Sequence, residues 1–340
     1  TALLKTGRYK FICMGGAVKH QNYEPQTITG EDWDEGDWVV HPVDGYGTAD
    51  MIRSIIWTEK IDALWFMTDP RFYEWLWSVE NEIRSVDGDI FKKVSKEETQ
   101  KFIDENFPDY DEGKFYIFWN NRNARRKHAG TLINCFNKFA EEIGRDKVCL
   151  IMHTDPNDPQ GQDLTNLLHD LKIQPGTVVL STNKLPPQGL AFLYNTSDCT
   201  INISDAEGFG LSTLESLSCG TPIIVNMTGG LQEQVTDGEE WFGIGMDPAA
   251  KALIGSQQVP YIYEDRLSEE QIINAMKEMY NLSKKEREEM GRKGSEYVQK
   301  NYNFKDFEQK WIDLMDDILE RYGSWDTRKG YKSWEIAEIG

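Results

Sequence analysis

The stretch EGFGLSTLESLSCGTPII, residues 207–224, follows the apolar run CTINIS at 199–204 directly. The apolar run predicts a strand, the positions 211–219 predict a helix, and 222–225 predict the next strand. A strand, a helix and a second strand at this spacing form one unit of a parallel, doubly wound sheet. This stretch therefore predicts an α/β fold.

The same alternation extends outward in both directions from residues 207–224. Downstream of residue 114, further strands are predicted at 115–119, 148–152 and 177–180, and further helices at 132–143, 164–171, 190–195 and beyond 267. Before residue 86 the pattern is weaker, with strands predicted at 10–14, 38–41 and 62–67 and a helix at 49–59. We expect an incomplete amino-terminal Rossmann-like domain over 1–90, a second one over 91–310, and helices over 311–340 that cross back to the first.

Charge and composition limit the functions that the chain can have. Its 340 residues carry a formal net charge of −20, which argues against binding to DNA or to an anionic membrane. No apolar run approaches the roughly 20 residues of a membrane span, and no signal peptide is visible. Five cysteines lie scattered in apolar segments, at Cys13, Cys135, Cys149, Cys199 and Cys219. We interpret them as reduced core residues and expect a cytoplasmic protein.

The turn at residues 207–210 has the features of an anion site. Gly208 and Gly210 allow the backbone to approach a ligand closely. The helix that begins near Leu211 or Ser212 presents free N–H groups and the positive end of its dipole at the edge where parallel sheets bind ligands. A phosphate group fits this helix end.

Glu207 and Glu215 flank the turn, and their negative charge favours a ligand group other than phosphate. A phosphate would repel Glu207, so this side chain should face neutral hydroxyls, and Glu215 can reach a second set of hydroxyls one turn further on. A ligand with a sugar, a diphosphate and another sugar meets all of these demands. The alternative is that residues 212–215, STLE, form a capping box in which Glu215 only closes its own helix. The dinucleotide motif G-x-G-x-x-G fits less well, because its third glycine and its ribose-binding acid are absent.

The whole stretch resembles the E-x7-E signature of retaining glycosyltransferases of family 4, group 1. Both acids, both turn glycines, the CGTP strand entry at 219–222 and a later Gly229-Gly230 occur in the family's order. The resemblance implies a GT-B fold, in which two Rossmann-like domains face a cleft. It also implies that Glu207 contacts the donor sugar and Glu215 the nucleotide ribose. The turn that would face sugar and phosphate comprises Gly208, Phe209, Gly210, Leu211 and Ser212.

A basic loop, WNNRNARRKH at residues 119–128, follows the first strand of the second domain. Arginine and lysine at the same sheet edge can counter the charge that grows on a departing diphosphate. The resemblance implies Arg122 and Lys127 as the cations in this role, with the nucleotide base near Ser181. For any single arginine here, a solvated surface loop is the alternative.

We expect no metal ion and no cofactor besides a nucleotide-diphosphate-sugar donor. Acid triplets of the form D-x-D occur at residues 32–34, 87–89 and 109–111, but none follows a clear strand at the ligand edge. With 57 acidic residues in the chain, three such triplets are expected by chance. The family's mechanism implies a front-face substitution, in which the leaving phosphate takes the proton of the acceptor.

The resemblance weakens before residue 86, where a GT-B domain has about twice as many residues. Either sequence is missing near Ser85 and Val86, or this domain is reduced, and we expect the first. The prediction is a retaining glycosyltransferase whose acceptor is a glycan, a lipid or a protein. One alternative is a nucleotide-sugar-binding protein without transfer activity. Another is sugar transfer to modified bases of viral or phage DNA, which the net charge of −20 opposes.

Overall fold

The computed structural model describes residues 7–8, 10–14, 25–30, 34–41, 49–61, 85–107, 109–255, 261–324, 326–327 and 329. The chain divides into two compact units, one of Thr1–Ser85 with Phe304–Gly340 and the other of Val86–Asn303. The domain boundaries predicted near residues 90 and 310 remain predictions, as does missing sequence near Ser85.

The first unit contains a three-stranded sheet in the order β1-β3-β2, in which β1 pairs parallel and β2 antiparallel to β3. Its elements are β1 Phe11–Met14, β2 Gln26–Thr27, β3 Trp38–His41, α1 Ala49–Glu59 and the long helix Phe304–Tyr322. The strands predicted at 10–14 and 38–41 and the helix at 49–59 are confirmed. The strand predicted at 62–67 lies outside the described residues.

The second unit contains a six-stranded parallel sheet in the order β6-β5-β4-β7-β8-β9. Its strands are β4 Phe115–Asn120, β5 Val148–His153, β6 Val178–Ser181, β7 Cys199–Asn202, β8 Ile223–Asn226 and β9 Gly243–Met246. The chain starts in the middle at β4, moves outward through β5 and β6, and returns to the other side of β4 at β7. The order therefore reverses between β4 and β7, which is the position where open α/β sheets bind their ligands.

Helices cover both faces of this sheet. They are α2 Lys96–Asn106, α3 Ala129–Ile143, α4 Leu164–Asp170, α5 Pro187–Thr196, α6 Leu211–Ser218, α7 Leu231–Val235, α8 Glu269–Asn281 and α9 Lys284–Asn301. Successive β4 side chains alternate between two apolar cores, with Ile117 in one and Phe118 in the other, both fully buried. Burial on both faces explains why the strands are continuous apolar runs in the sequence.

An antiparallel hairpin between β9 and α8 was not predicted. It pairs β10 Ala250–Ile254 with β11 Ile262–Arg266. Both strands mix charged and exposed apolar residues, so neither has the continuous apolar run that identified the sheet strands. Two residues of β11, Glu264 and Arg266, contact the segments that follow β4 and β7.

Two further properties follow from the described residues. All five cysteines are free thiols, four of them buried and Cys13 partly exposed. No helix in the described ranges combines the length and the apolar character that crossing a bilayer would need.

Candidate functional site

The carboxyl ends of β4 and β7 bring the basic loop and the Glu207 turn together. After β4 the chain makes one short 3-10 turn, Arg125–Lys127, and then enters α3. His128 between them has φ +57° and ψ +39°, a left-handed conformation that directs the chain into the helix. This geometry directs the loop toward the residues that follow β7.

Glu207 is held by two cations of this loop. Lys127 Nζ contacts Glu207 Oε2, and Arg126 Nη1 donates to the same oxygen at 3.0 Å. The Lys127 side chain is only 8% exposed, whereas that of Arg126 is 47% exposed. Burial lowers the pKa of Lys127, and the Glu207 carboxylate opposes that shift. Both contacts use Oε2, so Glu207 Oε1 has no hydrogen-bond partner among the described residues.

Hydrogen bonds fix the loop to the segment after β7. The backbone N–H of Asp205 donates to Arg126 O at 3.0 Å, and Arg126 Nη1 donates to Ala206 O at 2.7 Å. His128 Nε2 lies 2.6 Å from Asp205 Oδ2. Because the loop and the segment share these contacts, the positions of Lys127 and Glu207 depend on each other.

Gly229 and Gly230 pack closely against the backbone of the Glu207 turn. A Cβ on Gly229, whose φ is +49°, would lie 1.7 Å from Glu207 O, and one on Gly230 would lie 2.6 Å from Phe209 Cα. Only residues without a side chain allow this approach. A Cβ on Gly208 would meet no atom of the described residues within 4 Å.

Helix α6 begins directly after this turn without a side-chain cap. Its N-cap is Gly210, with φ +88°, and within the described part of the chain no side chain bonds to the first N–H groups. Gln234 Nε2 holds the turn by donating to Phe209 O at 2.7 Å and to Gly210 O at 3.2 Å. Leu211 is 57% exposed, and Ser212 is partly exposed. The first turn of α6 therefore offers free N–H donors to an anion.

Glu215 does not close a capping box, so that alternative interpretation is wrong. The helix begins one residue before Ser212, and Glu215 Oε2 instead accepts a hydrogen bond from Tyr194 Oη at 2.8 Å. Asn120 Nδ2, at the end of β4, donates to the same hydroxyl at 2.9 Å. Burial raises the pKa of Glu215 to about 7, although the Tyr194 hydrogen bond acts in the opposite direction.

Two other predicted residues bond to partners other than Glu207. Arg122 makes a two-point contact with Asp158 in the loop after β5, with Nε to Oδ2 at 2.6 Å and Nη2 to Oδ1 at 3.1 Å. Ser181, the last residue of β6, has its Oγ 2.9 Å from Nδ1 of His153. Burial lowers the pKa of His153. The donor-binding and catalytic roles of Arg122 and Ser181 remain predictions.

The structure adds ionic contacts behind the loop that sequence reasoning missed. Arg125 Nη1 donates to Glu264 Oε2 at 3.2 Å, and Arg266 Nε lies 3.1 Å from Asp205 Oδ2. Glu264 and Arg266 both belong to β11, so the unpredicted hairpin, which is not part of the six-stranded sheet, contacts the basic loop and Asp205. The run RRK signalled the importance of residues 125–127, but no sequence pattern relates Glu264 to a residue 139 positions earlier.

No group of three or more His, Cys, Asp or Glu side chains in the described part of the chain is arranged to hold a metal ion. The cations of the basic loop and the N–H groups of α6 are instead the positive charges at this edge of the sheet. The arrangement can bind an anion beside an acceptor of hydroxyl hydrogen bonds.

A family model described as "Glycosyl transferases group 1" matches residues 100–297, more than half of the chain. A protein of Acidothermus cellulolyticus named D-inositol 3-phosphate glycosyltransferase is 41% identical over 75 residues. That match covers 22% of this chain and spans only 17% of the relative's length.

Two solved structures show the same fold at low identity. Sucrose-phosphate synthase from Thermosynechococcus elongatus has a TM-score of 0.54 at 19% identity, covering 70% of this chain and 52% of its own. The Anabaena protein HepE, crystallised with UDP and glucose, has a TM-score of 0.53 at 14% identity, covering 68% and 55%. These likenesses confirm the predicted fold class, an α/β protein of the GT-B type.

Proposed function

The chain belongs to the group 1 glycosyl transferases, and on that premise we propose that it moves a sugar from a nucleotide-diphosphate donor to an acceptor with retention of configuration. One observation carries the proposal. Lys127 and Arg126 both contact Glu207 Oε2 at the point where the strand order reverses, which leaves Oε1 without a partner among the described residues, beside a helix that lacks a side-chain cap. Such an oxygen accepts a hydrogen bond from a sugar hydroxyl.

The remaining parts of the donor match the groups around Glu207. The diphosphate meets the N–H groups at the start of α6 together with Lys127, and Arg122 joins them by exchanging Asp158 for phosphate. The ribose hydroxyls donate to Glu215, which Tyr194 orients. The nucleotide base lies toward Ser181 at the end of β6.

The reaction breaks the bond between the anomeric carbon and the phosphate oxygen and forms one from that carbon to the acceptor oxygen. In the front-face mechanism that we propose, the acceptor proton passes to the departing phosphate. The cations of the basic loop stabilise the negative charge on that phosphate, so no metal ion or cofactor is needed. A chelator should therefore leave the turnover unchanged.

The donor is tested with a thermal-shift panel of UDP-, GDP- and ADP-sugars. The likeness to a protein crystallised with UDP and glucose makes UDP-glucose the first member of the panel. At 100 times its dissociation constant, the correct donor stabilises the protein by about 2.7 kcal/mol. Glu207→Ala should lose most of this shift, whereas Glu239→Ala, which alters an exposed acid in the loop before β9, should keep it. Absence of a shift in the wild type with every nucleotide sugar would overturn the donor assignment.

Turnover separates an enzyme from a protein that only binds nucleotide sugars. A transferase hydrolyses its donor slowly when no acceptor is present, so release of labelled sugar should exceed the rate without protein. A donor-dependent thermal shift without any release of sugar would favour the binding protein.

A further inference from the structure

A groove of about 830 Å³ opens at the amino-terminal edge of the six-stranded sheet, away from Glu207. Residues just before β4 and β5 line it, together with the beginnings of α2 and α9. Six residues of parallel strand span roughly 16 Å, and this length of β4 separates the groove from the basic loop. All lining residues belong to the second unit.

The groove is basic although the protein is strongly acidic. Its cationic lining residues are Lys93, Lys96, Lys114, Lys147, Lys284 and Arg287, and its anionic ones are Glu112, Asp198 and Glu288. Arg287 Nη2 pairs with Asp198 Oδ1 at 2.9 Å, which neutralises both. None of the five lysines forms an ion pair with any residue that the structure describes. The groove thus keeps an excess of positive charge in a chain of net charge −20.

The fold places two of these lysines side by side. Phe115 of β4 pairs with Val148 of β5, so Lys114 and Lys147, which directly precede these strands, occupy neighbouring backbone positions about 5 Å apart. Like charges at such positions destabilise a sheet. The bond from Phe115 N to Lys147 O, at 2.8 Å, fixes this arrangement.

Lys93 extends the basic lining along the groove. A Cβ on Gly220 would lie 3.6 Å from Lys93 Cδ, so the lysine stem packs over this glycine. Burial lowers the pKa of Lys93, and the charges of Lys284 and Lys96 lower it further, while Cys219 and Glu288 oppose them. Lys284 and Lys96 therefore lie close enough to Lys93 to repel it.

Two glutamates close to these lysines in sequence have partners of their own at helix starts. Glu98 forms a capping box with Ser95 at the start of α2, and Glu286 forms one with Ser283 at the start of α9. Each carboxylate accepts from its own N-cap residue and makes no ion pair within the described residues. The positive charge of the groove therefore remains available to a ligand.

We propose that this groove binds a small ligand that carries two or more phosphate groups. Lysines bind phosphate as point charges, and several of them converge here on one concave surface. The volume is within the range of small-molecule sites, and a groove encloses a compact anion better than it matches a flat bilayer. The site lies at the opposite sheet edge from the donor, so it does not depend on the proposed transferase activity.

Inorganic tripolyphosphate is the probe, and calorimetric titration of the full chain is the measurement. The groove variant carries Lys114→Gln, Lys147→Gln and Lys284→Gln. A control variant with the same change in charge carries Lys300→Gln, Lys305→Gln and Lys310→Gln, which alter exposed lysines outside the groove. We expect the groove variant to bind at least tenfold more weakly than the wild type and the control to stay within twofold.

Two further measurements complete the test. In the wild type, tripolyphosphate should protect Lys114 and Lys147 from acylation, as read by peptide mass spectrometry, whether or not the variants fold. Binding to vesicles that contain phosphatidylinositol bisphosphate, displaced by tripolyphosphate, would identify a lipid headgroup as the source of the phosphates, and binding of tripolyphosphate alone would identify a soluble ligand. No binding by the wild type, equal weakening in both variants, or no protection of the two lysines would overturn the proposal.

Discussion

The two edges of the six-stranded sheet differ in whether their cationic side chains form ion pairs. At the carboxyl edge, the cations from Arg122 to Lys127 each contact a carboxylate, and Lys127 is only 6% exposed. At the amino-terminal edge, Lys114 and Lys147 lie side by side without an ion pair to any described residue. Lysine is therefore held by an ion pair at the carboxyl edge, whereas at the amino-terminal edge it has no ion-pair partner among the described residues.

This difference indicates two ways of binding an anion. A buried, paired lysine loses hydration, but its position is set before a ligand arrives, which is what transition-state stabilisation requires. Unpaired exposed lysines attract an anion over a distance without a fixed geometry, and salt weakens this attraction. The carboxyl edge suits a reaction, whereas the amino-terminal edge suits simple binding.

Replacing Lys127 should have the largest effect. Lys127→Ala removes the buried cation that contacts Glu207, so we expect donor turnover to fall roughly 100- to 1,000-fold, as for loss of a preorganised electrostatic group. The measurement is release of sugar from the nucleotide sugar at saturating donor concentration.

Arg126→Ala is the matched control, because Arg126 contacts the same oxygen from a side chain that is 47% exposed. Solvent screens an exposed pair, so this variant should lose less than tenfold. If Arg126→Ala costs as much as Lys127→Ala, burial is not what distinguishes the carboxyl edge.

Much of the carboxyl edge could be predicted from the sequence, because its parts are local. The sheet strands are short apolar runs, and the turn at residues 207–210 carries its own glycines. These patterns predicted the start of α6 to within one residue. They also predicted that Lys127 and Glu207 lie at the same edge of the sheet. The fold then follows from the alternation of strands and helices.

What could not be predicted depends on contacts between distant segments. The sequence singled out Arg122 and Lys127 in the basic loop, whereas the contact of Arg126 with Glu207 depends on the 3-10 turn and was not predicted. The hydrogen bond from Tyr194 to Glu215, 21 residues later, was not predicted either. The lysines of the basic groove come from four separate segments of the sequence, and only the fold brings them together.

Glu215 should make stability depend on pH. Its pKa is raised to about 7 in the folded protein, from about 4.5 when unfolded, so its ionised form is unfavourable in the fold. The contribution is present at low pH and is lost as the pH rises through about 7. Relative to Glu215→Gln, the wild type should lose about 2–3 kcal/mol of unfolding free energy between pH 5 and 8. Chemical denaturation at several pH values measures this difference.

Tyr194→Phe refines the same experiment. The Tyr194 hydroxyl lowers the pKa of Glu215, so its removal should move the transition above pH 7. Donor affinity should rise over the same pH range in the wild type, because ribose hydroxyls donate to a carboxylate better than to a neutral acid. A stability difference that does not vary with pH would contradict the assignment to Glu215.

Gly229→Ala should reduce the unfolding free energy by less than these effects. Together with its control, it distinguishes support of the Glu207 turn from direct contact with the donor. The new Cβ would meet Glu207 O at 1.7 Å, so we expect about 1–3 kcal/mol of destabilisation and loss of the donor-dependent thermal shift. Gly208→Ala is the control, since its Cβ meets no atom within 4 Å in the described ranges. It should leave stability unchanged but weaken donor binding, because the backbone can no longer approach the ligand. Equal destabilisation by both changes would show that the turn is not supported by Gly229.

The smallest effect should come from the amino-terminal edge, and its sign is the informative part. Lys114→Gln removes the repulsion by Lys147, so it should raise the unfolding free energy by a few tenths of a kcal/mol, about the size of other cross-strand charge effects. Lys138→Gln should act in the opposite direction, because Lys138 is paired with Glu269 on the surface. Both changes should shrink in 1 M salt, where the Debye length is about 3 Å. A destabilising Lys114→Gln would mean that this lysine has a partner in the folded chain, and the groove would then lack the unpaired charge that distinguishes it from the opposite edge.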